Sequence, residues 1–249
     1  MRDYLVFQLY GPLASWGEIA VGELRHSASH PSRSALLGLL GAALGVCRDD
    51  AAAQAALTAG YQFAVKQLAG GAPLRDYHTV QAPALSKKIT HRTRRQEMAD
   101  PDKLNTLLTS REYYADSFYV VAVQARPDAP HSLAQLQHAL EHPAFTLYLG
   151  RKSCPLALPL AAKLVPGASL KAALDSGSWP TLTAFKPHWL PGRRAARYFW
   201  DADMEADGLS PSQTHTRHDQ PLSRQRWQFA PRQECSQPVN IPAPAGESA

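Results

Sequence analysis

The segment Pro31-Ser32-Arg33-Ser34-Ala35-Leu36-Leu37-Gly38-Leu39-Leu40-Gly41-Ala42-Ala43-Leu44-Gly45 most constrains how this chain can fold. Pro31 and Ser32 are helix-entry residues, which predicts a helix from near Ser32 or Arg33. Leu36, Leu37, Leu39, Leu40 and Leu44 give that helix a broad apolar face. Gly38, Gly41 and Gly45 each cost roughly 1 kcal/mol against alanine in a helix interior. Three such costs imply a reason, and close approach of another backbone is the usual one. The Ser-Arg-Ser entry also leaves free N–H groups and a cation at the positive end of the helix dipole, an arrangement suited to a phosphate. The competing reading is a buried helix packed tightly on a sheet.

The first half alternates strand and helix. Tyr4 to Leu9 sets Leu5, Phe7 and Leu9 against Tyr4, Val6 and Gln8, the pattern of a half-buried strand. A second strand alternates Tyr61, Phe63 and Val65 with Gln62, Ala64 and Lys66, until Gly70 and Gly71 break it. Ser117 to Val123 reads as a third strand, and Ser132 to His142 as an amphipathic helix stopped by Pro143. Phe145 to Leu149 reads as a fourth strand. The order strand, helix, strand, strand, helix, strand predicts an α+β, ferredoxin-like (RRM-like) domain. Its sheet would carry two helices on one face and leave the other open, often as an RNA platform.

Leu74 to Glu112 interrupts this order between the second and third strands. Within it, Ser86 to Arg95 holds Lys87, Lys88, Arg92, Arg94 and Arg95 and no acidic residue. Lys88, Thr90, Arg92 and Arg94 would share one strand face. An extended arm tracking phosphates fits this run, because a single strand needs cations spaced along an extended element. A solvated basic hairpin is the alternative. Tyr77, His78, Tyr113 and Tyr114 flank the run, either to stack bases or to pack the base of the arm.

The second half is less regular and rich in proline, with strand candidates at Ala196 to Asp201 and Trp227 to Ala230. Arg193, Arg194 and Arg197 form one basic cluster; Arg217, Arg224, Arg226 and Arg232 form a looser one. The expected organisation is 1–155 as the main domain with its insertion at 74–112, then 156–235 as a β-rich C-terminal part. Residues 236–249 are small, polar and proline-bearing, the composition of a disordered tail.

Composition narrows the function. With 45% hydrophobic residues over 249 positions, the chain can bury a core. A net charge of +5 and a pI of about 9.2 admit nucleic acid as a partner without requiring it. No signal peptide or membrane span is evident, so a cytoplasmic protein with no membrane partner is expected. Cys47, Cys154 and Cys235 are scattered and odd in number, which fits a reducing compartment. His138 and His142 stand four apart on a helix, and His215 and His218 three apart, but neither pair has an evident third ligand; no metal is expected. No Gly-x-Gly-x-x-Gly or Walker loop occurs, so no cofactor is expected.

Several blocks together resemble the CasD family, the Cascade subunits of type I-E CRISPR systems within the repeat-associated RNA-binding (RAMP) superfamily. They are Gly11-Pro12-Leu13-Ala14-Ser15-Trp16-Gly17, Pro31 to Ser34 with Leu36 to Gly41, Leu74-Arg75-Asp76-Tyr77-His78-Thr79-Val80, Ser110-Arg111-Glu112-Tyr113, and Tyr148-Leu149-Gly150-Arg151-Lys152-Ser153-Cys154-Pro155-Leu156. They run in order to about residue 160; the match beyond is looser, mainly around Thr216 to Arg232, and the insertion is longer and more basic than the family leads one to expect. The resemblance implies a ferredoxin-like domain with a hairpin thumb and a small β-rich C-terminal part. It implies a non-catalytic role in antiviral defence: capping the 5′ handle of the CRISPR RNA (crRNA), beside the backbone subunit CasC and the large subunit CasA, with target DNA in the assembled complex. The thumb would push aside a guide nucleotide at the handle–spacer junction. Arg111 would contact the handle near the thumb base. Tyr148, Arg151 and Lys152 would follow the fourth strand beside the RNA. Ser32, Arg33 and Ser34 would present the helix start, and Trp16 would stack a base or simply pack.

Two other functions fit the residues. His78 beside Tyr77 and Asp76, with Lys87 or Arg111, could serve a metal-independent endoribonuclease acting on CRISPR repeat RNA, as in the type I-C branch. A free-standing single-strand RNA binder is the third reading.

Overall fold

The computed structural model describes residues 2–20, 22–84, 90–176 and 196–239. Its first strand, β1 (Arg2–Tyr10), leads into helix α1 (Arg33–Leu44). Ser32 caps α1, its side chain accepting from the Ala35 N–H at 3.1 Å, as the sequence predicts. Gly45 ends the helix in the left-handed conformation, φ 77°. The alanine run forms a second helix, α2 (Ala51–Gly60), capped by Asp50 and followed by β2 (Tyr61–Ala69). Then come β3 (Ala72–Pro83), β4 (Leu104–Ala115), β5 (Phe118–Ala125), α3 (Leu133–Glu141), β6 (Lys163–Ala168) and α4 (Leu170–Asp175). Three C-terminal strands follow: β7 (Arg197–Asp201), β8 (Gln213–Ser223) and β9 (Gln228–Pro238).

Seven of these strands form one antiparallel sheet in the order β6-β1-β5-β2-β7-β9-β8. The C-terminal strands thus extend the sheet of the first half. On one face Leu5, Phe7, Val121 and Val123 pack with Leu36, Leu37 and Leu40 of α1 and Leu136 of α3. On the other, Tyr4, Val6, Val120 and Ala122 pack with Leu170, Ala173 and Leu174 of α4 and with Met204. Each such buried leucine or phenylalanine contributes roughly 1.5–3 kcal/mol. The half-buried β1 and the open sheet face are therefore corrected: β1 is covered on both sides, and α4 sits where an RNA platform was expected. Alternation of Val and Tyr misled here, since Tyr4 is as buried as Leu5.

Phe145 to Leu149 is not the fourth strand. Leu147 and Leu149 are buried, which produces the alternation, but the segment makes only an isolated bridge, Tyr148 to Pro155. The Ala144 and Phe145 N–H groups instead donate to the carbonyls of Ala43 and Ala42 at the end of α1. The edge strand is β6, whose Pro166 and Gly167 mask the strand pattern and are tolerated only at an edge. The glycines of α1 also differ from expectation. A Cβ on Gly38 would touch the Arg224 guanidinium at 3.6 Å, and one on Gly41 would touch Leu57 at 3.6 Å; the close neighbours are side chains, not backbone. At the C-terminus, Ser236 to Pro238 belong to β9, so the expected tail starts too early; residues 240–249 lie outside the described residues.

The insertion is a long hairpin. β3 and β4 pair without a bulge from Ala72↔Ala115 to Pro83↔Leu104. Leu13–Ala14 and Leu24–Arg25 brace the base of β4 on its other edge. Gly71, at φ 72°, makes the turn into the arm, and a Cβ there would stand 2.5 Å from the Ala115 carbonyl. At the tip the described part of the basic run, residues 90–95, is not a strand: Arg94 and Arg95 lie in a short helix, Arg94–Glu97, capped by Thr93. Thr93 accepts from the Gln96 N–H, and Gln96 accepts from the Arg92 N–H, so local capping wins over extension.

A buried ion cluster joins α1 to β7, β8 and β9. The Arg33 N–H donates to Asp219 Oδ2 at 2.8 Å. The Arg33 guanidinium pairs with Asp201 and donates to the Thr58 and Tyr61 carbonyls. Arg232 donates to Asp219 (2.6 Å), Asp201 (3.0 Å) and Glu234 (2.6 Å). His30 lies 2.8 Å from Glu234 and stacks on Phe199. Burial lowers the His30 pKa from its ordinary value against the pull of Glu234. Burial pushes Glu234 up, but contact with His30 and the guanidiniums of Arg217 and Arg232 outweigh it, and its carboxyl lies well below the usual range.

Removing one member of such a cluster leaves a buried charge short of its partner. Arg33→Met should lower unfolding free energy by about 3–5 kcal/mol in urea titrations. A loss below about 1 kcal/mol would mean that Asp201 does not depend on Arg33.

His30 and Glu234 both bind protons more readily when unfolded. Stability should therefore fall as pH drops below about 6.5, where unfolded His30 charges, and again below about 4.5, where unfolded Glu234 protonates. Urea midpoints across this range should fall less steeply between neutral and mildly acid pH in His30→Gln. Equal slopes would contradict the assignment of His30.

Candidate nucleic-acid interface

The structure gathers some predicted site residues and separates others. Arg111 lies on β4, across from Asp76 and beside Arg25. It makes no ion pair with a described residue. Arg151, from the loop after Leu149, reaches the same place: its guanidinium lies 5.0 Å from the Tyr113 ring centroid and donates to the Tyr113 hydroxyl at 3.3 Å and the Arg25 carbonyl at 3.5 Å. Lys152 follows, exposed. Arg25, Arg111, Arg151 and Lys152 thus form a basic patch at the base of the arm. The nearby Glu112 is engaged by Arg75 (3.0 Å) and His26 (3.1 Å), and its carboxyl is lowered first by the His26 bond.

The loop that carries Arg151 also walls a cleft of about 650 Å³. Tyr148 and Gly150 line one side, Ser34, Ala35 and Gly38 of α1 the floor, and Arg224, Trp227 and Phe229 of the β8–β9 hairpin the other side. Such a volume lies within the range of ligand pockets, roughly 300–1,000 Å³. Arg224 donates to the Ser34 carbonyl and has no carboxylate partner among the described residues. Burial and the neighbouring Arg48 cation lower its pKa from the ordinary value. Tyr148, 37% exposed, opens onto this cleft.

Trp16 and Arg33 are elsewhere, while Ser32 lines the cleft. Trp16 is 1% exposed and packs edge-on against Tyr119, with centroids 5.7 Å apart; its packing reading holds, and it presents no face to a base. Arg33 is 6% exposed and spent on Asp201. The helix start itself is already occupied by an anion, the Asp219 carboxylate, so Ser32 and Arg33 offer no phosphate site there. Ser34 reaches the cleft floor. Arg92, Arg94 and Arg95 are exposed at the tip of the arm, roughly 20–25 Å along the strands from Arg111. Arg94 is engaged by Glu97 and the Gln81 carbonyl. Lys87 and Lys88, and Arg193 and Arg194, lie outside the described residues.

Sequence reasoning missed Arg25 and Arg48, and read Trp227 only as the start of a strand. It noted Arg217, Arg224, Arg226 and Arg232 as one loose cluster; the fold divides them. Arg217 and Arg232, mostly covered, pair with Asp219 and Glu234, Arg224 enters the cleft, and Arg226 is exposed. The His138 and His142 rings lie 4.9 Å apart, and among the described residues no three of His, Cys, Asp and Glu are placed to hold a metal. No described helix is long and apolar enough to cross a membrane.

Comparison with known proteins defines the class. The family of CRISPR-associated proteins termed Cas5 matches residues 4–234, and the chain belongs to it. Within it, the chain is 38% identical to the CRISPR system Cascade subunit CasD of Escherichia coli (strain K12), over 168 residues that make up 64% of this chain and 70% of that protein. This supports the CasD identification drawn from the motifs. A chain from a CRISPR RNA-guided surveillance complex superposes with a TM-score of 0.62 at 26% identity, covering 96% of this chain and 91% of that one. A crystal structure of a Cas protein shares the fold, with a TM-score of 0.60 at 23% identity, covering 95% and 94%.

Gly150 fixes the loop that both the patch and the cleft share. It sits at φ 84°, and a Cβ there would fall 1.9 Å from the Ser15 carbonyl oxygen. Gly150→Ala should cost about 1–3 kcal/mol from the backbone conformation alone, and more from the collision. Thermal melts and urea titrations should show the loss; unchanged stability would mean that the loop relocates freely.

Proposed function

We propose that this protein is a non-catalytic crRNA-binding subunit of a type I-E CRISPR Cascade complex, holding the 5′ handle of the guide. Membership of the Cas5 family and similarity to CasD support a place in a CRISPR surveillance complex. The observation that carries the handle reading is the basic patch at the arm base, where Arg25, Arg111, Arg151 and Lys152 converge beside a cleft with an unmatched guanidinium. Charge-assisted bonds from arginine suit a planar phosphate or base contact, because its fork donates two parallel bonds.

In this reading the ferredoxin-like domain expected over residues 1–155 extends to Ala168. The order β6-β1-β5-β2 is that of a ferredoxin-like sheet once β6 replaces Phe145–Leu149 as the fourth strand. The arm is the thumb: Arg92, Arg94 and Arg95, with Lys87 and Lys88, follow the backbone of the guide where it pairs with target DNA. CasC and CasA are the neighbours, the compartment is the cytoplasm, and the function is antiviral defence through target recognition. Handle contacts fall to Arg111, Tyr148, Arg151 and Lys152, with Ser34 at the floor of the adjoining cleft.

The test is a binding titration of the reconstituted complex with handle-bearing and handle-less RNA. Arg111→Ala should weaken binding of the handle-bearing RNA by about 1–3 kcal/mol and leave the fold intact. Arg111→Lys should rescue only in part. Equal binding of both RNAs by wild type and variant would contradict the handle assignment. Specific cutting of repeat RNA by the isolated chain in chelator, lost in His78→Ala, would replace this reading with a metal-independent endoribonuclease.

A further inference from the structure

The C-terminal hairpin carries an aromatic platform outside the handle residues named above. Trp227, in the β8–β9 turn, is 60% exposed at φ 52°. The Arg48 guanidinium lies over its indole ring at 4.2 Å from the centroid. The Arg48 Nε donates at 3.0 Å to the carbonyl of Arg224, so helix-side and hairpin-side groups lock the turn together. Arg48 covers one face of the indole and the Phe229 ring stands 6.2 Å away, tilted by 34°; the residue is still 60% exposed, so indole surface is left for a ligand. An exposed tryptophan held in place by a cation has lost little freedom left to lose on binding, which favours stacking.

The floor beneath this platform is built for contact rather than filling. Gly38 leaves room for the Arg224 guanidinium to lie on α1, 3.6 Å from where a Cβ would stand. Arg224 spends one donor on the Ser34 carbonyl and keeps the rest. Asp219, although it lines the cleft, is committed to Arg232 and the Arg33 N–H. Glu18 on the facing wall makes no ion pair with a described residue and offers an acceptor for an exocyclic amine. An aromatic face, an unmatched cation and a lone acceptor around one cleft match the parts of a nucleotide: base, phosphate and base edge.

We propose that this cleft receives one unstacked nucleotide of the guide RNA, its base on the exposed indole surface of Trp227 and its phosphate on Arg224. The proposal rests on the RNA-binding reading above and adds a base-stacking subsite to it, formed by Trp227, Arg48 and Arg224 around Gly38. Because stacking accepts any base, the site would fix the position of the strand, with Glu18 favouring a base that carries an amine.

The test uses the full chain and short RNAs covering the repeat-derived 5′ end of the guide. In each RNA one position in turn carries 5-bromouracil, and cross-links are mapped after irradiation. One position should cross-link to Trp227. Trp227→Ala should then weaken binding on the order of tenfold, as expected for loss of one base stack, while Trp227→Phe keeps most of it. An abasic substitution at that same position should erase the difference between Trp227 and Ala. Cross-links that map elsewhere, with Trp227→Ala binding normally, would overturn the subsite and leave the RNA-binding reading standing. Normal RNA binding by Trp227→Ala together with failure to assemble into the complex would overturn it in favour of a protein contact. Absence of RNA binding by the unmutated chain, alone and in the complex, would overturn both.

Discussion

The bond from the Arg33 N–H to Asp219 sets the rest of the structure in place. It delivers a carboxylate to the start of α1, where the helix dipole and unpaired N–H groups favour an anion. That carboxylate comes from β8, 186 residues away in sequence. Around it Arg33, Arg232, Asp201 and Glu234 neutralise one another. Buried pairs of this kind contribute little over an apolar replacement, yet breaking one is costly. Their effect here is geometric. They hold β7, β8 and β9 against α1 in one register, and so place the hairpin turn over Gly38.

The cluster also decides which arginines remain available to a ligand. Charge alone does not separate Arg33 and Arg232 from Arg111 and Arg224. Their surroundings do: the first two meet carboxylates in the interior, whereas the other two pair with no carboxylate among the described residues. The anion site expected at the helix start is thus filled from within the chain. Positive potential instead emerges at the base of the arm and along the cleft, two places joined by Gly150 and Arg151. The cleft depends on the C-terminal strands, which a reading of the first half alone leaves out.

Much of the fold was legible because it is local. Ser32 caps α1, Ser132 caps α3 with a full capping box, and Ser117 to Val123 lies almost wholly within β5, since a cap or an alternation is written within a few residues. The misses have longer reach. Phe145–Leu149 alternates as a strand does, but its N–H groups go to the end of α1. β6 pairs at the sheet edge despite Pro166 and Gly167. Of the candidate site, Arg111 and Arg151 were read from motifs and come together, whereas Trp16 and Arg33 matched equally well and are buried. A motif names the residue that a family keeps; it does not tell a surface contact from a core one. Arg224 stood in a loose basic cluster and Trp227 in a strand candidate, but nothing local told their place, because Arg224 lies over a glycine in another element.

Hydrogen exchange of the full chain, with and without handle-bearing RNA, tests the central claim that RNA meets the arm base and cleft and not the helix start. The account predicts added protection at residues 110–113, 148–152 and 222–229, and no change at the Arg33 and Ala35 N–H groups, which already hold Asp219 and Ser32. Protection confined to 32–36, with the arm base and hairpin turn unchanged, would contradict it.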